Sequence, residues 1–185
     1  MQIDINRKAI SIGEKYAVYL NGTQQWTASK EIFTWLARLH VLTFPEGSTI
    51  IDLDQENFWI KPLFTITVRD KEPLTFTTTS FWKLQYQCID GNDTYNIYAH
   101  FGTKYSVFKN DIQIAYWEES MVNWFDGENI KIYADHNVDK ELLISLCLIV
   151  DNINSSSNKR NTLNINVGNL GWWLKKFDEN WRPKE

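Results

Sequence analysis

From Lys15 to Ala134 the chain is a succession of short runs in which apolar and polar residues alternate. A period of two over about four to eight residues marks strands with one face in a core and the other in water. Asn21-Gly22 separates the runs 15–20 and 23–28, and Asn-Gly between β-rich runs is the strongest short-range hairpin signal, so these two strands pair. Further strands are predicted over 33–42, 49–53, 63–69, 74–79, 81–89, 95–100, 105–109, 112–117 and 130–134, with a loop over 54–57. The run 33–42 also fits a helix through Ile32, Leu36 and Leu39, but the strands on either side favour a strand. Pro45-Glu46-Gly47-Ser48, Asp90-Gly91-Asn92-Asp93, Phe101-Gly102-Thr103, Asn110-Asp111 and Asp126-Gly127-Glu128-Asn129 are turn chemistry. Roughly a dozen short strands joined this way form an antiparallel meander, which removes its open edges by closing into a barrel.

One stretch breaks the alternation. Leu142 to Val150 is apolar on every face, and a helix of that kind has to be buried. About ten apolar residues make a helix of roughly 15 Å, half the ~30 Å of a hydrocarbon core, so a buried core helix is the better reading than a membrane span. Asn137 or Asp139 supplies the cap, and acidic Asp139 and Glu141 suit the first turn. The expected fold is therefore all-β with one central helix: a closed antiparallel barrel of about twelve strands wrapped around a hydrophobic C-terminal helix near 138–151. This domain spans 1–152. A polar linker follows over 153–161, then a Trp-rich tail over 162–185 that opens with one more short strand near 162–168.

With 43% hydrophobic residues the chain can fill such a core, and an aromatic fraction of 15%, nine Trp among them, suits wide half-buried strands. A net charge of −4 argues against a nucleic-acid binder, and against a polybasic membrane anchor, since the densest basic runs are Lys159-Arg160 and Lys175-Lys176. With no apolar leader segment at its start the chain is expected in the cytoplasm, and Cys88 and Cys147 are expected to be buried free thiols.

The order Tyr16-Ala17-Val18-Tyr19 with Asn21-Gly22, Glu31-Ile32-Phe33-Thr34-Trp35 with Leu39-His40-Val41, and Tyr95-Asn96-Ile97-Tyr98 with Gly102 continues through Tyr105-Ser106-Val107-Phe108 and Gln113-Ile114-Ala115 to Asp139-Lys140-Glu141-Leu142-Leu143 and the apolar helix. In this order the chain resembles the LURP-one-related family, grouped with tubby C-terminal and phospholipid scramblase domains, over roughly residues 13–152. The resemblance implies a barrel around a central helix, as the periodicity does. It implies function less directly. Tubby-like domains bind phosphoinositide head groups, scramblases are membrane-bound and calcium-responsive, and the LURP-one-related branch has no established activity.

Candidate chemistry is sparse. His40, His100 and His136 are scattered, and no Gly-x-Ser-x-Gly, His-Glu-x-x-His or Cys-x-x-Cys occurs, so an enzyme and a cofactor are not expected. The likeness to scramblases is closest at Asp126, Glu128 and Asn137, three oxygen ligands where a hard cation wants six to eight, with Lys131 among them; an ordinary Asp-Gly turn is the plainer reading. Lys61, Arg69, Lys71 and Lys83 are candidates for a lipid head group, or are solvated strand ends that guard against aggregation. Trp172, Trp173, Phe177 and Trp181 form a partner interface if the tail is free, or fold back to plug an end of the barrel. The function expected is a non-enzymatic tubby-like binding or adaptor domain for a membrane phosphoinositide or a protein partner. The alternative is a small-molecule carrier or hydrolase-like activity in a barrel-end pocket, which would need a deep polar pocket holding a histidine.

Overall fold

The alternating runs become twelve strands of a single antiparallel sheet that closes on itself. The structure is a computed structural model that describes residues 1–8, 15–31, 36–57, 62–80, 85–120, 129–158 and 175–185. The strands are β1 (Gln2–Lys8), β2 (Lys15–Leu20), β3 (Thr23–Lys30), β4 (Arg38–Thr43), β5 (Thr49–Asn57) and β6 (Leu63–Val68). They continue as β7 (Leu74–Ser80), β8 (Gln85–Asp90), β9 (Asp93–His100), β10 (Lys104–Lys109), β11 (Ile112–Ser120) and β12 (Asn129–Ala134), and the helix α1 (Lys140–Asn158) follows. Each strand pairs with its sequence neighbours, and β1 closes the ring by pairing with β12, Ile3 opposite Ile132 and Ile5 opposite Ile130. Among the described residues no strand is left with an open edge, which removes the usual route to edge-to-edge aggregation.

The pleat sends alternate residues inward. Ile3 and Ile5 of β1, Leu39 and Val41 of β4, Phe64 and Ile66 of β6, and Val107 of β10 are fully buried around α1, where Leu143, Ile144, Leu146, Leu148, Ile149 and Val150 are also fully buried. Burying such a side chain contributes about 1.5 to 3 kcal/mol, and that burial explains why a helix apolar on all sides is stable here. Outward positions at Asp4, Asp52, Asp54, Lys104, Glu118 and Lys131 are charged, the reverse of the apolar band that a lipid-spanning barrel turns outward. No described helix is long and apolar enough to cross a membrane. Cys88 and Cys147 are buried and free, and burial raises the thiol of Cys88 to about 12.

In a meander, successive connections fall at opposite ends. The lower end carries the tight turns and the start of α1. Asn21 and Gly22 both take positive φ, 48° and 84°, the backbone that a two-residue hairpin matching the strand twist demands. Asp139 is the helix cap: its Oδ1 accepts from the Leu142 amide at 3.1 Å. The amino terminus donates to the Ala134 carbonyl at 2.7 Å and so ties β1 to the same end.

The upper end receives the last turns of α1, and there the helix departs from expectation. It runs to Asn158 rather than stopping near residue 151, so the first part of the expected linker is helical. Asp151, Asn152, Asn154 and Ser155 in these turns are bonded to the barrel wall. Asp151 Oδ2 accepts from Arg7 Nη2 at 2.7 Å and from the Tyr16 hydroxyl at 2.8 Å, and Ser155 Oγ lies 2.9 Å from the same guanidinium. Lys30 Nζ donates to Asn152 Oδ1 at 2.6 Å, and Asn154 Nδ2 to the Tyr105 hydroxyl at 2.7 Å. Asp151 is 6% exposed, and a buried carboxylate is tolerable only with such partners.

Three further expectations are corrected. Strand β1 was not expected; it supplies the closing seam. The loop expected over 54–57 is strand, because β5 continues to Asn57 through a register shift, and the buried Gln55 carries on the ladder by accepting from the Ala37 amide through Oε1 at 3.1 Å. Of the strand expected over 33–42, residues 33–35 lie outside the described residues, and the described part is strand from Arg38 onward, with Leu36 exposed. The strand expected near 162–168 lies outside the described residues.

Candidate binding surface

Because α1 occupies the lumen, the accessible chemistry of the described residues lies on the outer wall and at the two ends. Of the four cationic candidates, the two that are described, Arg69 and Lys71, are both engaged in bonds. Lys61 and Lys83 lie outside the described residues. Arg69 and Lys71 sit in the turn after β6 at the lower end, where Arg69 Nη2 donates to the Thr49 carbonyl and Lys71 Nζ lies 2.5 Å from Asp139 and 3.9 Å from Glu141. The Lys71 ammonium is raised above its ordinary pKa, chiefly by its hydrogen bond to Asp139, so it serves the capped start of α1. Of the cation candidates, Asp126 and Glu128 lie outside the described residues and Asn137 is in the exposed turn between β12 and α1. Among the described residues no three His, Cys, Asp or Glu side chains are placed to hold a metal ion.

The outer wall carries two constructed clusters. On β4 and β5, His40 is held between two carboxylates, Nδ1 at 2.5 Å from Asp52 and Nε2 at 2.9 Å from Glu31, while Arg38 bridges Asp54 at 2.5 Å and Glu31 at 3.7 Å. Partial burial opposes the charge on His40, but its bonds to Glu31 and Asp52 outweigh that and hold its pKa above the ordinary value. Register accounts for the cluster, since His40 stands opposite Asp52 and Arg38 opposite Asp54. The partners of His40 are not legible in the sequence, because they lie on neighbouring segments and only the pairing shows them.

On β9, β10 and β11 the wall is aromatic and covered. Tyr105 and Val107 of β10 point inward, so Ser106 and Phe108 point outward, yet these are only 1% and 6% exposed. Residues 175–185 lie against this wall, Lys175 over Phe108. Lys175 Nζ is 3.6 Å from the centroid of Phe108, and Phe177 stands edge-on to Tyr116 and His100 at 5.4 and 5.3 Å. Lys104 Nζ is 4.9 Å from the centroid of the Phe177 ring, and Trp181 stands edge-on to Tyr116 at 5.8 Å while donating Nε1–H to the Gln113 carbonyl at 3.3 Å. At the lower end the His136 amide donates to the Lys184 carbonyl at 3.0 Å, and the Lys184 amide to Asp135 Oδ1 at 2.7 Å. Phe177 and Trp181 thus lie along the outer wall instead of plugging an end, whereas Trp172 and Trp173 lie outside the described residues.

Beneath Phe177, His100 Nε2 is 2.6 Å from Ser106 Oγ. Burial pushes the ring down to about 4, so it is neutral near pH 7. A serine nucleophile needs a base held by a third group and room for a substrate. Here no carboxylate bonds the ring among the described residues, and Ser106 is closed off by the covered wall. His136 sits in the exposed turn before α1, so no described histidine occupies a deep polar pocket. One shallow concavity of about 310 Å³ lies on the wall between Asp4, Asn6, Tyr19, Gly22, Asn129 and Lys131.

Fold and surface together define the class: a closed antiparallel barrel filled by its own helix, with its workable chemistry outside. No family model, curated protein or solved structure matches this chain.

Proposed function

We propose that this chain is a non-enzymatic binding or adaptor domain of the tubby-like kind, meeting a membrane lipid or a protein partner on its outer wall. The observation that carries the reading is the filled lumen. Helix α1 removes the cavity in which a barrel of this size would hold a small ligand, and the two histidines of the wall are engaged in structural bonds. The resemblance to LURP-one-related and tubby-like domains supports the same class.

The test has two parts. The purified chain is titrated with a fluorescent fatty acid, and it is co-sedimented with neutral, anionic and phosphoinositide-containing vesicles, with and without calcium. An outer-wall binder takes up no stoichiometric probe. Sedimentation restricted to phosphoinositide vesicles assigns the lipid, and sedimentation with none directs the search to a protein. Saturable uptake of one fatty acid per folded chain would overturn the reading in favour of a carrier.

A further inference from the structure

We infer that the aromatic outer wall of β9–β11 is a docking groove for a peptide segment, and that residues 175–185 occupy it as a built-in ligand. The inference rests on the outer-wall reading above and names the kind of partner, a protein segment in which a Lys, a Phe and a Trp follow at positions i, i+2 and i+6.

Three observations carry it. First, the barrel is complete without the tail. Strands β1 and β12 close the ring, and among the described residues the buried hydrophobic core has no member beyond Ile153. Second, the contact is asymmetric. The wall residues Ser106 and Phe108 are buried, whereas no described residue of 175–185 is, so the tail lies on the wall without becoming part of the interior. An interface in which one side keeps much of its surface in water resembles a transient complex more than a core. Third, the tail is shaped for presentation. Asp178 Oδ1 accepts from the Asn180 amide at 2.9 Å and the Asp178 carbonyl from the Trp181 amide at 3.2 Å, a turn that brings Phe177 and Trp181 onto the same ring, Tyr116.

Tyr116 is the anchor of the groove: it stacks on Tyr133 at 4.9 Å and receives both aromatic edges. Lys104 and Lys175 hold cations over aromatic faces on either side of it. A segment tethered in cis acts at an effective concentration on the order of millimolar, so a free peptide of the same pattern competes poorly until the tail is weakened. An outside partner therefore has to bind more tightly than the tail or capture the wall when the tail opens.

The experiment uses the full-length chain, as wild type and as Phe177→Ala/Trp181→Ala, with a fluorescein-labelled peptide of residues 175–185 read by anisotropy. Folding of each chain is checked by circular dichroism. The double variant is expected to bind the peptide at least about tenfold more tightly than wild type, and a peptide carrying both alanines is expected not to bind. Tyr116→Ala added to the double variant abolishes binding. A folded double variant that binds no peptide overturns the inference. So does a double variant that fails to fold, because the groove requires a barrel that stands without its tail. Fatty-acid uptake would refute the outer-wall function without altering the peptide result, so the two failures are distinguishable.

Discussion

The chain lays two of its own segments against the barrel, α1 inside and residues 175–185 outside, and the two contacts differ in kind. From Leu142 to Ile153 every helix residue is buried, and the polar ones near the upper end are bonded to the wall, Asp151 to Arg7 and Tyr16, Asn152 to Lys30. The tail is half-exposed where it touches, and it is held by three edge-on aromatic contacts, a few cation contacts, the Trp181 bond to the Gln113 carbonyl and the bonds of the Lys184 backbone. Removing the first contact leaves the barrel with an empty lumen. Removing the second leaves a closed barrel with an uncovered aromatic wall. The first is a core, and the second has the character of a complex.

The comparison is broken most directly from inside. Leu146→Ala, at a fully buried position, is expected to cost about 2 to 5 kcal/mol in urea unfolding, through lost burial and the cavity left behind. A loss below about 1 kcal/mol would mean that the lumen is not packed as described. Arg7→Met removes the cation from the buried Asp151 carboxylate and should cost about 3 kcal/mol, somewhat less than a fully buried pair because the Arg7 side chain is 20% exposed. Asp151→Asn in the same background should recover part of that loss, and no recovery would remove charge burial as the cause.

The outer contact responds more weakly. Trp181→Ala should lower global stability by only about 1 kcal/mol while exposing residues 175–185 to proteolysis, so a loss as large as that of Leu146→Ala would make the tail part of the core. The smallest effects are in pH. His40 has a raised folded pKa, so its contribution is fully present below the unfolded value near 6.5 and is lost as pH rises through the folded value. His100 has a folded pKa of about 4, so its contribution is present above 6.5 and is lost as pH falls through that window. The deficit of His40→Gln should therefore shrink towards alkaline pH and that of His100→Gln towards acid. Parallel profiles for the two variants would contradict the environments assigned to them.

Legibility in the sequence follows the range of the forces involved. The barrel and its helix were readable because period-two alternation and an all-round apolar helix are local patterns with a single stable combination. The closing strand is less legible: Ile3 and Ile5 alternate with Gln2, Asp4 and Asn6, but the run is short and no hairpin signal sets it beside a neighbour. The last turns of α1 were not readable, because Asn154 and Ser155 look like a linker until Tyr105 and Arg7 are seen across from them. The site was less legible than the fold for the same reason. Lys71 looked like a free cation in a basic stretch, and its partner Asp139 is 68 residues away. Phe177 and Trp181 are legible in the sequence as interface residues or as a fold-back plug, but the wall they cover, centred on Tyr116, gives no sign in sequence beyond an alternating strand.

Native-state hydrogen exchange tests the central contrast most directly, with the Lys184 amide reporting the outer contact through Asp135 and the amides of Leu146 and Leu148 reporting the inner one. The account predicts that the helix amides exchange only through global unfolding, while Lys184 exchanges through a local opening with protection lower by on the order of a hundredfold or more. Equal protection at Lys184 and Leu146 would show that tail and helix open as one unit, and would contradict the reading of the tail as a ligand of the wall.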